Sequence, residues 1–354
     1  MNEIRKIAVI GTGVIGSAWT TLFAVKGYDV KAYSRKAETR ERGLNAVHSN
    51  LDFFVEKRII SEIEKQRALA RITMVDTIAE AVKDADFVEE CTGEVYDIKK
   101  DIFREMGKYA PGHAILASST SGLSMTEIQK VVAQKDKCIV THPWNPPHLI
   151  PLVEIVPGRE TSDKTTYITY HLMEKLGKVP VIVKKEVAGF IGNRLAAALW
   201  REAIDLVDRG VASVEDVDKA LCAGPGLRWA LMGTHMIYHL GGGEQGGYDH
   251  FIDGIGNTTF KEIWKELETR DYITEPVKEK LARGVQREMK GKNFQDIIRW
   301  RDNKIVDLLS VKEDDFWTDP MSYPTYDRTS VDRTKAQKDR KISADVRKIR
   351  EKVA

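Results

Sequence analysis

Two short stretches of this 354-residue chain hold residue types whose spacing could do chemistry. The first is Gly11-Thr-Gly13-Val-Ile-Gly16, entered from a β-branched run at residues 6–10. A Gly-x-Gly-x-x-Gly between a strand and a helix is the arrangement that cradles a dinucleotide. Gly11 permits the tight turn, Gly13 lets the backbone approach the pyrophosphate, and Gly16 lets helix and strand pack closely. Val14 and Ile15 belong to the same cradle, and the helix N-terminus favours the phosphate charge. Alone, the motif also reads as a structural turn. The second stretch is His142-Pro-Trp-Asn145-Pro-Pro, followed by Glu154 among apolar residues. A histidine at a strand end can take a hydroxyl proton near neutral pH. A carboxylate in apolar surroundings is costly without a partner, so Glu154 is the group expected to orient that imidazole. Together the two stretches imply nicotinamide-dependent oxidation of a secondary alcohol.

The end of the second strand selects the cofactor. NAD sites usually carry an acid there to hold the ribose hydroxyls. This chain has Tyr33-Ser34-Arg35-Lys36. A hydroxyl and two cations, Ser34, Arg35 and Lys36, stand where a 2′-phosphate would lie, which points to NADP. NAD or dual use stays open, because Arg35 and Lys36 also read as solvated first-turn residues.

These residues need a scaffold. Strands are expected at residues 6–10, 29–33, 86–91, 114–118 and 138–141, with a last one near 181–183. Helices are expected at 14–26, 97–108 and 124–132, and residues 39–70 read as two helices broken near Ser61. The alternation predicts an α/β Rossmann-type doubly wound parallel sheet. After about residue 187 helical spacing takes over, with Leu195, Leu199, Ile204 and Val207 on one face, so an all-α domain should follow. The expected division is residues 1–186 for the dinucleotide-binding domain, 187–318 for a helical substrate and dimerisation domain, and 319–354 for a polar, mixed-charge tail. A net charge of +2 gives no global drive toward nucleic acid or membrane. Cys91, Cys138 and Cys222 match no metal spacing and read as reduced thiols of a cytoplasmic protein. No metal is expected.

Five segments taken in order resemble the 3-hydroxyacyl-CoA dehydrogenase family over roughly residues 5–310. They are Val9-Ile-Gly-Thr-Gly-Val-Ile-Gly16, Ala117-Ser-Ser-Thr-Ser-Gly-Leu123, His142-Pro-Trp-Asn-Pro-Pro147, Val153-Glu154 and Gly189-Phe-Ile-Gly-Asn-Arg-Leu195. The resemblance implies that His142 is the catalytic base and Glu154 its orienting carboxylate. It implies that Ser121 and Asn193 hold the reacting oxygen, that Asn145 lies on the substrate side, and that Glu94 and Lys99 sit near cofactor and cleft. Ser119 stands on the nicotinamide side, where the family usually has Asn. A homodimer joined through the helical domain is also implied.

The stretch Gly224-Pro-Gly-Leu-Arg228-Trp229 is similar to the branch of that family containing lambda-crystallin (L-gulonate 3-dehydrogenase) and carnitine 3-dehydrogenase. An arginine can clamp a free carboxylate bidentately, and Trp229 with Trp144 could wall a quaternary ammonium. This favours a free 3-hydroxy acid such as gulonate or carnitine as the substrate. Against it, residues 50–57 resemble a region that contacts CoA, with Lys57 facing a phosphate. A 3-hydroxyacyl-CoA such as 3-hydroxybutyryl-CoA is the alternative substrate, and a non-catalytic cofactor-binding protein the alternative class.

Overall fold

A computed structural model describes residues 4–311 apart from 268, 270 and 271; the tail expected at 319–354 lies outside the described residues. Eight strands form one sheet in the order β3-β2-β1-β4-β5-β6-β7-β8. They are β1 Lys6–Ile10, β2 Asp29–Tyr33, β3 Ile72–Val75, β4 Phe87–Glu90, β5 Ile115–Ser118, β6 Cys138–Pro143, β7 Leu152–Pro157 and β8 Val179–Ile182. The helices around them are α1 Val14–Val25, α2 Ala37–Glu56, α3 Glu62–Leu69, α4 Ile78–Val82, α5 Tyr96–Tyr109, α6 Met125–Ile128 and α7 Asp163–Lys175.

The central strands are apolar on both faces because helices cover both, as a parallel sheet requires. Ile7, Val9 and Ile139 enter one core with Trp19 and Phe23 of α1, whose rings stack at 5.2 Å. Ala8, Val88 and Val140 enter a second core with Phe103 and Met106 of α5. The break near Ser61 is a full capping box, with Ser61 Oγ accepting from Glu64 N and the Glu64 carboxylate accepting from Ser61 N.

One pairing departs from the expected all-parallel sheet: β6 and β7 are antiparallel. Residues 144–151 are too few for a crossover helix, so the chain must fold back on itself. The register of that ladder sets His142 directly opposite Glu154. Strands β3 and β7 and helix α7 fall where the sequence pattern predicted no element.

Beyond β8 the chain is helical: α8 Gly192–Asp208, α9 Val214–Ala223, α10 Pro225–Trp229, α11 Thr234–Gly241, α12 Gly247–Phe251, α13 Lys261–Glu266, α14 Glu275–Met289 and α15 Phe294–Val311. A π-helical stretch, Ile252–Phe260, joins α12 to α13. Ser213 caps α9 through its hydroxyl. On α15, Ile305 and Val306 pack back onto the first core of the sheet domain.

Candidate active site

The glycine cradle has the shape a dinucleotide needs. A side chain at Gly16 would lie 1.7 Å from Gly11 O, and one at Gly11, whose φ is +102°, would lie 2.7 Å from Cys91 O. Above Gly13 there is open space to 4 Å. Two glycines are therefore forced by packing, and the third leaves backbone free for a ligand. Val14 is exposed beside it and Ile15 is half-buried.

Ser34 is placed differently from expectation. It is buried, its Oγ accepts from Thr12 N at 2.8 Å, and it lies 2.8 Å from Thr12 Oγ1. Thr12 Oγ1 donates to Thr39 O, so the Ser34 hydroxyl donates to Thr12. Ser34 thus ties the cradle to β2 and has no hydrogen left for a phosphate. Arg35 and Lys36 are exposed just beyond it.

His142 keeps 5% of its surface and Glu154 1%. His142 Nδ1 lies 2.8 Å from Glu154 Oε2. The other oxygen, Oε1, accepts from the backbone N–H groups of Ile191 at 2.7 Å and Gly192 at 2.9 Å, at the start of α8. Burial works to raise the Glu154 carboxyl. The hydrogen bonds from His142, Gly192 and Ile191 outweigh it and hold the group below the usual carboxylate range. An ionised Glu154 fixes the proton on Nδ1 and leaves Nε2 as the basic atom. Nε2 makes no hydrogen bond among the described residues. Phe190, buried with φ +52°, packs its ring 5.5 Å from the imidazole. The Trp144 indole lies over Gly192, where a Cβ would meet it at 2.6 Å.

The start of α8 meets the loop after β5. Asn193 Nδ2 donates to Ser121 O at 3.0 Å. Glu94 Oε1 accepts from Ser121 N at 2.9 Å and from Thr120 Oγ1 at 2.6 Å. Ser121 is exposed, as is Asn145 after His142. His142, Glu154, Asn193, Ser121 and Glu94 therefore form one connected group.

Other expected residues lie elsewhere. Lys99 does not face the cleft: it is 1% exposed, and its Nζ donates to both oxygens of Glu90 at 2.9 and 3.0 Å. Its reach to the cleft is indirect, 3.7 Å to Glu94 Oε2. Ser119 turns inward, accepting from Trp19 Nε1 at 3.0 Å and donating to Glu89 at 2.5 Å. Arg228 and Trp229 are not brought to the His142 group. They stand exposed on α10, which packs on α9 and α11, and the Arg228 guanidinium makes no hydrogen bond or ion pair among the described residues. In the segment that resembled a CoA contact, Asn50 donates to Thr21 of α1 at 3.2 Å. Lys57 lies 3.5 Å from Glu56, which also pairs with Arg299 of α15 at 3.1 Å.

The sequence reading missed the two buried carboxylates Glu89 and Glu90. The signal was present: two adjacent acids inside a strand otherwise read as buried.

Family comparisons agree with this architecture. Residues 6–187 match the NAD binding domain of 3-hydroxyacyl-CoA dehydrogenase, and residues 189–296 match its C-terminal domain. The L-carnitine dehydrogenase of Oceanobacillus iheyensis is 37% identical over 89% of this chain and 100% of its own length. That of Nocardiopsis dassonvillei is 37% identical over 88% and 93%. Among solved structures, an NAD+ dependent dismutase, 5-formyl-3-hydroxy-2-methylpyridine 4-carboxylic acid 5-dehydrogenase, superposes with a TM-score of 0.74. It is 27% identical, over 87% of this chain and 98% of its own. The (S)-3-hydroxybutyryl-CoA dehydrogenase of Ralstonia eutropha gives 0.60 at 31% identity, over 63% and 79%. The chain belongs to the 3-hydroxyacyl-CoA dehydrogenase family. It is an oxidoreductase acting on 3-hydroxy acids, with an NAD-binding domain in its N-terminal half.

Proposed function

We propose that this member of the 3-hydroxyacyl-CoA dehydrogenase family oxidises a free 3-hydroxy acid to the 3-oxo acid, with L-carnitine the first candidate and gulonate the second. The observation that carries the chemistry is the 2.8 Å contact between His142 Nδ1 and Glu154. Nε2 of His142 takes the substrate hydroxyl proton, and the imidazolium that forms is stabilised by an ionised carboxylate. Ser121 and Asn193 hold the reacting oxygen, while Glu94 fixes the loop that carries Ser121. Lys99 acts through Glu90 and Glu94. Gly11, Gly13, Val14, Ile15 and Gly16 hold the dinucleotide, which when bound accepts the hydride. Arg35 and Lys36, with no acid at the end of β2, favour NADP over NAD; Ser119 is adjacent on the nicotinamide side.

The free-acid reading is supported by the carnitine dehydrogenases that match nearly the whole chain. It is also supported by α2, where Glu56 and Arg299 surround Lys57 with mixed charge instead of a cationic phosphate site. Asn145 is placed to touch substrate. Arg228 and Trp229 contribute their carboxylate clamp and aromatic wall only across an interface between two copies. A homodimer through the helical domain is part of the same proposal, and the exposed apolar residues of α8 support it.

The test is His142→Gln. Loss of kcat/KM for L-carnitine on the order of a thousand-fold, with NADPH binding retained, is expected. Turnover within about ten-fold of wild type would remove His142 from the role of base.

A further inference from the structure

Glu89 lies in β4 with no measurable exposure. Its neighbour Glu90 points to the opposite face of the sheet, where Lys99 holds it. Glu89 has no such partner. Ser119 Oγ lies 2.5 Å from its Oε1, and Thr141 Oγ1 lies 2.7 Å from Oε2 and 2.9 Å from Oε1. Because the Trp19 indole donates to Ser119 Oγ, the Ser119 hydroxyl is oriented to donate to Glu89. Thr141 Oγ1 donates to the same carboxyl, so two hydroxyls and no cation face a group that is wholly out of water, a setting that favours the neutral acid.

The cluster joins two parts of the site. Cys91, whose backbone forms the floor under Gly11 and whose Cβ lies under Gly16, is 3.5 Å from Ser119 Oγ. Trp19 belongs to α1, the helix that opens on the cradle. Thr141 precedes His142 in β6. We infer that Glu89 is a positioning residue that works as a neutral acid, tying the floor of the dinucleotide cradle to the strand of the catalytic histidine. The inference rests on the reading of that cradle as the cofactor site.

Burial pushes the Glu89 carboxyl up to about 8 against the pull of Ser119 and Thr141, and the nearby charge of Glu90 adds to the rise. The other titratable groups near the cluster are Lys99, across the sheet, and Lys178, whose Nζ sits over the Trp19 ring at 5.6 Å and which burial pushes down to about 7. Cys91 stays a thiol, since burial pushes it well above its ordinary value. An uncompensated carboxylate at Glu89 would be an expensive buried charge, and the cluster would have to rearrange to admit water.

The test is the dissociation constant of NADPH for the full chain, measured by calorimetry at pH 7.0 and 9.5, for wild type and Glu89→Gln. If only the protonated form binds, wild type weakens by up to about thirty-fold; a weakening of at least about five-fold is expected. The amide of Glu89→Gln cannot ionise, so its constant should stay within about two-fold between the two pH values, whatever its absolute size. Equal weakening in the variant, or none in wild type, overturns the inference. Failure of wild type to bind NADPH at pH 7.0 would instead overturn the reading of the cradle. Should the variant not fold, infrared spectra of wild type decide the matter. A protonated-carboxyl band present at pH 7.0 and lost by pH 9.5 supports the inference, and its absence at pH 7.0 overturns it.

Discussion

In the sheet domain, β4, β5 and β6 are buried along their whole length, and two of the acids buried in the sheet have charged or amide partners, Lys99 for Glu90 of β4 and His142 with two backbone amides for Glu154 of β7, while Glu89 of β4 meets only hydroxyls. In the helical domain Leu195, Trp200, Trp264 and Trp300 each leave more than 60% of their surface open. Helix α8 contributes only Ile204, Asp205 and Val207 to burial, all in its last turns. The first domain is complete within one chain. The second leaves several large apolar side chains open, Leu195, Leu199 and Trp200 of α8 among them. The difference teaches where each task can be done. Proton transfer needs fixed distances, and the His142–Glu154 distance is set by a two-strand ladder inside the sheet. Arg228 and Trp229, the residues proposed for substrate selection, stand exposed on α10 in the second domain.

The contrast breaks most sharply at Glu154, which lies in β7 of the sheet domain and accepts from the first amides of the helical domain. Glu154→Ala removes the imidazole's partner and the acceptor for two amides at the start of α8. We expect kcat/KM to fall by at least about a hundred-fold, and stability by about 1–3 kcal/mol, the cost of leaving the buried His142 N–H unpaired, with the two part-buried amides adding less. Steady-state kinetics and denaturant unfolding measure the two effects. If activity falls and stability does not, the carboxylate serves catalysis alone. A smaller effect is expected at α8. Trp200→Glu places a charge on the exposed apolar face and should convert a dimer into monomers at micromolar concentration in sedimentation velocity, while cofactor binding by the sheet domain persists. A wild-type chain that sediments as a monomer would show that the face is covered in some other way.

The fold and the partnership of His142 with Glu154 were legible from sequence because each left a strong local signal. The strand–glycine–helix order announced the cradle. His142 stood out at a strand end before a proline-rich loop, and Glu154 as a carboxylate in an apolar stretch. Their distance was not legible, because it depends on the antiparallel return of β7, and β7 is only a short apolar run after a proline-rich loop. Lys99 was expected near cofactor and cleft, and its burial against Glu90 shows only once β4 lies beside α5. Ser34 and Ser119 are polar at the expected positions, but side-chain direction is decided by partners far along the chain, Thr12 for one and Trp19 and Glu89 for the other. Arg228 has the right chemistry for a carboxylate, yet sequence carries no sign that α10 stands away from the histidine.

The most direct measurement of the account is the ratio of kcat/KM for L-carnitine to that for (S)-3-hydroxybutyryl-CoA, with NADP+ as acceptor. The account predicts a ratio of at least about one hundred, because a site built for a free carboxylate loses hydrogen bonds to a thioester. A ratio below one would make the protein an acyl-CoA enzyme and contradict the assignment.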